Sequence, residues 1–303
     1  MTGINQEDYG ISKRGCVVSA FELAEITEGS ATGQVAELYD DIRAVIGVPM
    51  VNLIFRHMAI IPGCLNWSWQ TLRPLYLSGK IADAADALTV GILPGQVVDL
   101  TESIAEADLT DDDTCAIDQV LYFYGRANPM NAIGLQVISF ALDGSPQENV
   151  VGHSQVLTND ILVKPKGLSD LLPMVDPATA SHEVRIALHR LALQIHGEDI
   201  GVIPSLYRHF GRWPKFLRAL EGALEPTLSI GIEDTAKAML EESKSAARIL
   251  YLDLPLPAKP PNDQSDNALR KLIEKFPRNI CRMTALATLL RRGLCSRVHN
   301  KGS

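Results

Sequence analysis

One stretch of this chain is written twice. Residues 47–74, GVPMVNLIFRHMAIIPGCLNWSWQTLRP, return as residues 201–226, GVIPSLYRHFGRWPKFLRALEGALEP. From the Arg-His pair onward the copies need no gap. Arg56 falls on Arg208, His57 on His209, Pro62 on Pro214, Leu65 on Leu217, Leu72 on Leu224 and Pro74 on Pro226, all at one offset of 152 residues. Upstream of that pair the second copy is shorter by about three residues. A period about half the chain long is not a solenoid repeat. It reads as a duplicated domain, a pseudo-twofold pair of halves in one polypeptide. The seam where the copies differ is the natural place for a site.

The pattern between and around the copies is helical. Val35, Leu38, Ile42, Val45 and Ile46 fall at three- and four-residue steps opposite Glu37, Asp40, Asp41 and Arg43, and Gly47-Val48-Pro49 ends that helix. Further helices are expected over 52–58, 65–77, 82–92, 96–107 and 114–142. In the last of these, Asn128-Pro129 predicts a kink or break, because proline deletes a backbone bond. Residues 143–172 carry Gly144, Pro146, Gly152, Pro165 and Gly167 without a period and read as a linker. Val184, Leu188, Leu191 and Ile195 then repeat the amphipathic face, with His196-Gly197 at its end. Helices over 235–250, 268–274 and 279–294 complete the chain. No sustained strand alternation occurs. The expected fold is all-α, a pseudo-dimer of two helical repeats packed face to face: 1–142, a linker at 143–172, and 173–303.

Charge and cysteines narrow the partners. A net charge of −8 and the lack of a Lys/Arg stripe argue against nucleic acid. No apolar run reaches the ~18 residues of a membrane span, and residues 1–15 lack the apolar core of a signal peptide. Five scattered cysteines without a CxxC read as reduced cytoplasmic thiols, not as a redox pair or zinc ribbon. That spacing also weakens an alkylhydroperoxidase-like reading.

Several clusters suggest chemistry and have simpler accounts. The acids Asp111, Asp112 and Asp113 could suggest a metal, but an N-cap at Thr110 or Asp111 with acids in the first helical turn explains them. His182, His189 and His196 stand seven apart on one helix. Two turns separate neighbours by roughly 10.5 Å, too far for one ion. The matched Arg-His pairs favour a shared structural job, bonding linker carbonyls or the other half. The Gly-flanked loop with Glu198 and Asp199 differs in kind: it precedes Pro204-Ser205, where a helix opens with free N–H groups. No HExxH, GxSxG, GxGxxG or Walker pattern is present.

Taken in order, Val48-Pro49 with residues 59–63 (AIIPG), residues 120–122 (VLY) followed by Asn128-Pro129, residues 171–176 (LLPMVD) and residues 213–215 (WPK) resemble the group I α-2-haloacid dehalogenases. The likeness runs from about Thr32 to the C-terminus. It implies an all-helical pseudo-dimer with its site between the halves. It also implies a reaction without metal, cofactor or covalent ester, in which an aspartate activates water to displace halide at Cα with inversion. The family's substrate-contacting asparagine matches Asn128, its serine matches Ser205, and its following aromatic matches Tyr207. Pocket positions fall on Met50, Leu53 and Cys64, and the catalytic aspartate itself falls on Leu206. Leucine takes no proton, so Asp199, or Glu198, becomes the candidate base. Two readings stand: a dehalogenase-type hydrolase of small 2-halocarboxylic acids, and a non-catalytic protein that binds a small 2-halo- or 2-hydroxycarboxylic acid on the same scaffold. Either is expected to be cytoplasmic, and either allows a homodimer.

Overall fold

A computed structural model describes residues 24–90, 98–144, 171–197, 203–224, 226–254 and 262–300; of these, 226–230 and 296–300 contribute backbone only. Every regular element among the described residues is helical. Helix α1 (Gly33–Ile46) buries Tyr39, Ile42 and Ile46 on one face. Gly47 ends it at φ 71°, a left-handed conformation that glycine takes without a Cβ penalty. The first copy of the duplicated stretch folds as α2 (Leu53–Met58) and α3 (Cys64–Leu77), joined by the Pro62-Gly63 turn. Then come α4 (Lys80–Val90) and α5 (Thr101–Glu106). The helix expected over 96–107 thus begins only at Thr101. Its start is fixed by the Asp99 carboxylate, which accepts from the Thr101 N–H at 2.9 Å, while Val98 and Leu100 are buried ahead of it.

The long helix α6 (Asp111–Asp143) starts in a capping box. The Thr110 hydroxyl accepts from the Asp113 N–H, and the Asp113 carboxylate accepts in return from the Thr110 N–H. The acid run is therefore a helix start. Of the kink or break expected at Asn128-Pro129, the break does not occur, and α6 runs through. Residues 127–138 are buried without exception, so packing on all sides outweighs the one backbone bond that proline removes.

The second half holds α7 (His182–His196), α8 (Ser205–Phe210), α9 (Pro214–Ala223), α10 (Pro226–Leu252) and α11 (Asp263–Asn300). Helices α2 and α8 start 152 residues apart, at the offset of the sequence repeat. The two stretches expected at 268–274 and 279–294 are one helix, and Pro277 lies inside it. Residues 281–287, just after it, are buried in one block.

Helices α6 and α11 share the most extensive helix pairing, and α10 packs on both. Around them α1 packs on α3, α4 on α6, and α9 on both α5 and α7. Apolar side chains from both halves form one continuous core. Polar bonds fix the rim. Asp41 on α1 accepts from Trp69 Nε1 at 2.6 Å and from Arg73 on α3, and Arg73 holds its carboxyl below the usual range. Trp213 Nε1 donates to the Asp113 carboxylate at 2.7 Å, tying the start of α9 to the start of α6. Among the described residues no helix is long and apolar enough to cross a membrane.

Candidate functional site

Several of the buried polar side chains without a hydrogen bond of normal geometry come from α2, α6 and α8: Arg56, Tyr124, Ser205 and His209. Helix α8 is short and amphipathic in an inverted sense, with almost all of it buried: Ser205 is 7% exposed, Leu206 1%, Tyr207 0% and His209 1%. Its first residue, Ser205, lies beside the Tyr124 hydroxyl of α6. Neither oxygen completes a hydrogen bond of normal geometry within the chain. Asn128, also buried, follows Tyr124 by four residues and so shares its helix face. The Tyr124 ring meets His209 edge-on, with centroids 5.7 Å apart. Both ring nitrogens of His209 are buried without a hydrogen bond of normal geometry. Burial, with the nearby arginines adding to it, pulls His209 down to about 4, so the ring is neutral at pH 7. Burial pushes the Tyr124 phenol well up, against the opposing pull of Arg56.

The duplicated arginines meet here on one carboxylate. Arg56 donates from Nε to Glu25 at 2.5 Å and from Nη1 to the Val51 carbonyl at 3.1 Å. Its Nη2 is buried and makes no hydrogen bond. Arg208 Nη1 lies 3.7 Å from the other oxygen of Glu25, and Arg208 Nε donates to the Val175 carbonyl. Val175 belongs to the segment entering the second half, so the arginines do bond the neighbouring chain as the repeat suggested. The histidines do not share one job. His57 is half-buried, with Nδ1 2.7 Å from the Ala24 carbonyl and its ring stacked on Phe276. His209 is sealed among Tyr124 and the arginines.

Tyr207 turns the opposite way, into a satisfied network. Its hydroxyl lies 3.2 Å from His196 Nε2, and His196 Nδ1 lies 3.2 Å from Asn279 Oδ1. That same amide oxygen accepts from Arg282, whose Nε donates to Glu233 at 2.6 Å. His196 Nδ1 thus faces both the Asn279 amide oxygen at 3.2 Å and the donor Arg282 Nη1 at 3.4 Å. Burial first, and then Arg282, lowers His196 to about 4. Of the three evenly spaced histidines, His182 is exposed, His189 half-buried and His196 buried. His196 is covered by α11, through Asn279 and Arg282.

The remaining sequence candidates fall into place as follows. Leu206 is an apolar core residue with no proton to exchange. Met50 and Leu53 are half-buried before and at the start of α2. Cys64 opens α3 fully buried, and burial pushes its thiol up to about 12, with Ser68 pulling against it. Ser205 thus lies beside Tyr124, while Tyr207 stands with His196. Glu198 and Asp199 lie outside the described residues. Sequence reasoning missed Tyr124 and Glu25. Tyr124 was legible in principle, one helical turn before Asn128. Nothing local marks Glu25, which gains meaning only where the two arginines converge.

No family model matches the chain. Over 238 residues it is 26% identical to the configuration-inverting 2-haloacid dehalogenase of Alcaligenes xylosoxydans xylosoxydans, covering 76% of this chain and 77% of that protein. It superposes with a TM-score of 0.68 on a solved D-2-haloacid dehalogenase mutant in complex with D-2-CPA, at 18% identity, covering 89% of this chain and 95% of that one. A D-2-haloacid dehalogenase with L-LA gives a TM-score of 0.66 at 17% identity, covering 90% and 95%. The structural likeness defines the class: an all-α protein with the helical fold of the D-2-haloacid dehalogenases. The sequence match points the same way: the chain is similar to a 2-haloacid dehalogenase along about three quarters of both chains.

Proposed function

We propose that this protein is a 2-haloacid dehalogenase-type hydrolase, which removes halide from a small 2-halocarboxylic acid by direct attack of water. The observation that carries the reading is the match to a configuration-inverting 2-haloacid dehalogenase along about three quarters of both chains. The site chemistry agrees with it. In-line displacement needs neutral donors for the substrate carboxylate, an apolar wall for the halogen, and a base within reach of the water. Ser205, Asn128 and Tyr124 supply the donors, and Leu206 with its apolar neighbours supplies the wall. The water oxygen bonds Cα, the carbon–halogen bond breaks, and its electron pair leaves with the halide. The water's proton goes to a carboxylate. Leu206 cannot receive it, and we assign that role to Asp199, which precedes α8 in the sequence.

The reading includes two halves related by a pseudo-twofold axis, supported by the common 152-residue offset of the sequence copies and of α2 and α8. It also includes a cytoplasmic location, and a homodimer is compatible with it. The purified protein, incubated with each enantiomer of 2-chloropropionate, should release halide. Asp199→Asn should lower the rate by about 100-fold or more, the usual contribution of a positioned base. Release undiminished in Asp199→Asn refutes the choice of base. No release from either enantiomer at high protein concentration refutes the hydrolase reading.

A further inference from the structure

Four elements bring buried charge together without balancing it. Arg56 and Arg208 come from the two copies of the repeat, and their side chains are only 4% and 19% exposed. One carboxylate, Glu25, faces both of them. Two cations against one anion leave an excess positive charge in a largely buried place, where an uncompensated charge is costly. The excess is directed: Glu25 takes Arg56 Nε and Val51 takes Nη1, so the unpaired Nη2 is what remains. Close by, in the electrostatic field of Arg56, lie the Tyr124 hydroxyl, the Ser205 hydroxyl beside it, and the His209 ring next to the Leu172 backbone, and none of these atoms makes a hydrogen bond of normal geometry. Arg56, Ser205 and His209 are 3%, 7% and 1% exposed, and Tyr124 is 4% exposed. Native interiors rarely leave so many polar atoms unpaired in one place. A guanidinium edge with hydroxyl donors suits an anion with two oxygens, because each oxygen can accept from more than one donor. The unpaired Asn52 Oδ1, one turn before Arg56 on the same side of α2, is an acceptor and can take a hydroxyl or water that accompanies such an anion.

We propose that Arg56, Tyr124, Ser205 and His209 form a subsite for the carboxylate of a small organic acid, with Glu25 as the positioning residue that holds Arg56 and Arg208 around it. The inference rests on the reading of the α6–α8 face as the substrate site and adds a charged anchor to the neutral donors. Glu25 aims the Arg56 guanidinium while cancelling half of the cationic charge, which leaves room for one further negative charge.

The test is binding of sodium propionate to the full-length protein, read by isothermal titration calorimetry, with sodium chloride as a second arm. The wild type should bind propionate. Tyr124→Phe removes only a hydroxyl and should weaken binding about tenfold, the usual scale for a hydrogen bond to a charged group. Arg56→Lys keeps the charge but loses the fork and should weaken it at least as much. Glu25→Gln should tighten binding several-fold, because two arginines then lack their built-in counter-charge; a purely structural role for Glu25 predicts no gain. If Arg56→Lys does not fold, Tyr124→Phe alone decides. Equal affinities for wild type and Tyr124→Phe, or no propionate binding by the wild type, overturn the proposal. Chloride displacing propionate one for one reassigns the subsite to halide and also overturns it. Halide release with propionate binding unaffected by these variants removes the subsite and leaves the hydrolase reading standing. Variant-sensitive propionate binding without halide release does the reverse.

Discussion

Lowering the pH from 6.5 to 4 should destabilise this protein by several kcal/mol, through two buried histidines. His196 and His209 are each lowered from 6.5 to about 4 in the fold, with burial as the largest cause. A folded-state value below the unfolded one means that the unfolded chain binds more protons across that window. Stability is therefore complete above pH 6.5, falls as the pH drops, and is lost in full by the folded value near 4. Each ring corresponds to about 3 kcal/mol over the whole window, of which about 2 kcal/mol is gone by pH 5. Both together are a large share of the ~5–15 kcal/mol of a typical domain. Carboxylates add to the fall further down. Burial raises Glu233, but the bonds from Arg278 and Arg282 outweigh it and leave it lowered, so its contribution is lost at more acid pH. Urea melts at pH 7.5, 6, 5 and 4.5 measure the effect. His196→Gln should flatten part of the slope. A midpoint that stays constant between pH 7 and 5 would contradict the assignment of both rings as neutral and buried.

Two glycine substitutions should have opposite signs. Gly293, on α11, sits against the backbone of the segment before α5. A Cβ there would lie 2.2 Å from the Val98 carbonyl oxygen and 3.3 Å from the Leu100 side chain. The carbonyl cannot rotate away as a flexible side-chain end would. Residues 98–100 would have to move, and Val98 and Leu100, 3% and 1% exposed, would lose their packing. Gly293→Ala should cost about 3 kcal/mol, the upper part of the range for overpacking. Gly125, on α6, has nothing within 4 Å of its Cβ position. Gly125→Ala should stabilise by up to about 1 kcal/mol through helix propensity alone. Parallel chemical denaturation separates the two. A Gly293→Ala protein within 0.5 kcal/mol of the wild type, on the order of ordinary surface substitutions, would mean that α11 does not pack as described.

The helix ends were the most legible part of the fold. Gly47, Gly197 and Thr110 do in the structure what their residue types predict, because caps are decided by atoms within four residues. The prolines were misread for the complementary reason. At Pro129 and Pro277 the local rule favours a break, yet both helices run through. Around Pro129 the residues had to be buried on every side, and a continuous helix does that better than a broken one. The candidate site divides in the same way. Asn128 and Ser205 could be read from their place in ordered motifs, whereas Glu25 could not, since its importance comes from two arginines 31 and 183 residues away along the chain.

The sequence by itself determined that the chain is helical and that Arg-His recurs at an offset of 152 residues. These are properties of residue type and spacing. Tertiary structure alone decided that both arginines would close on Glu25. It also sealed His209 while leaving its counterpart His57 half-exposed, and it left Tyr124, Ser205 and Arg56 Nη2 unpaired together. The physical reason is that a repeat fixes which groups are available, while burial fixes which of them still need a partner.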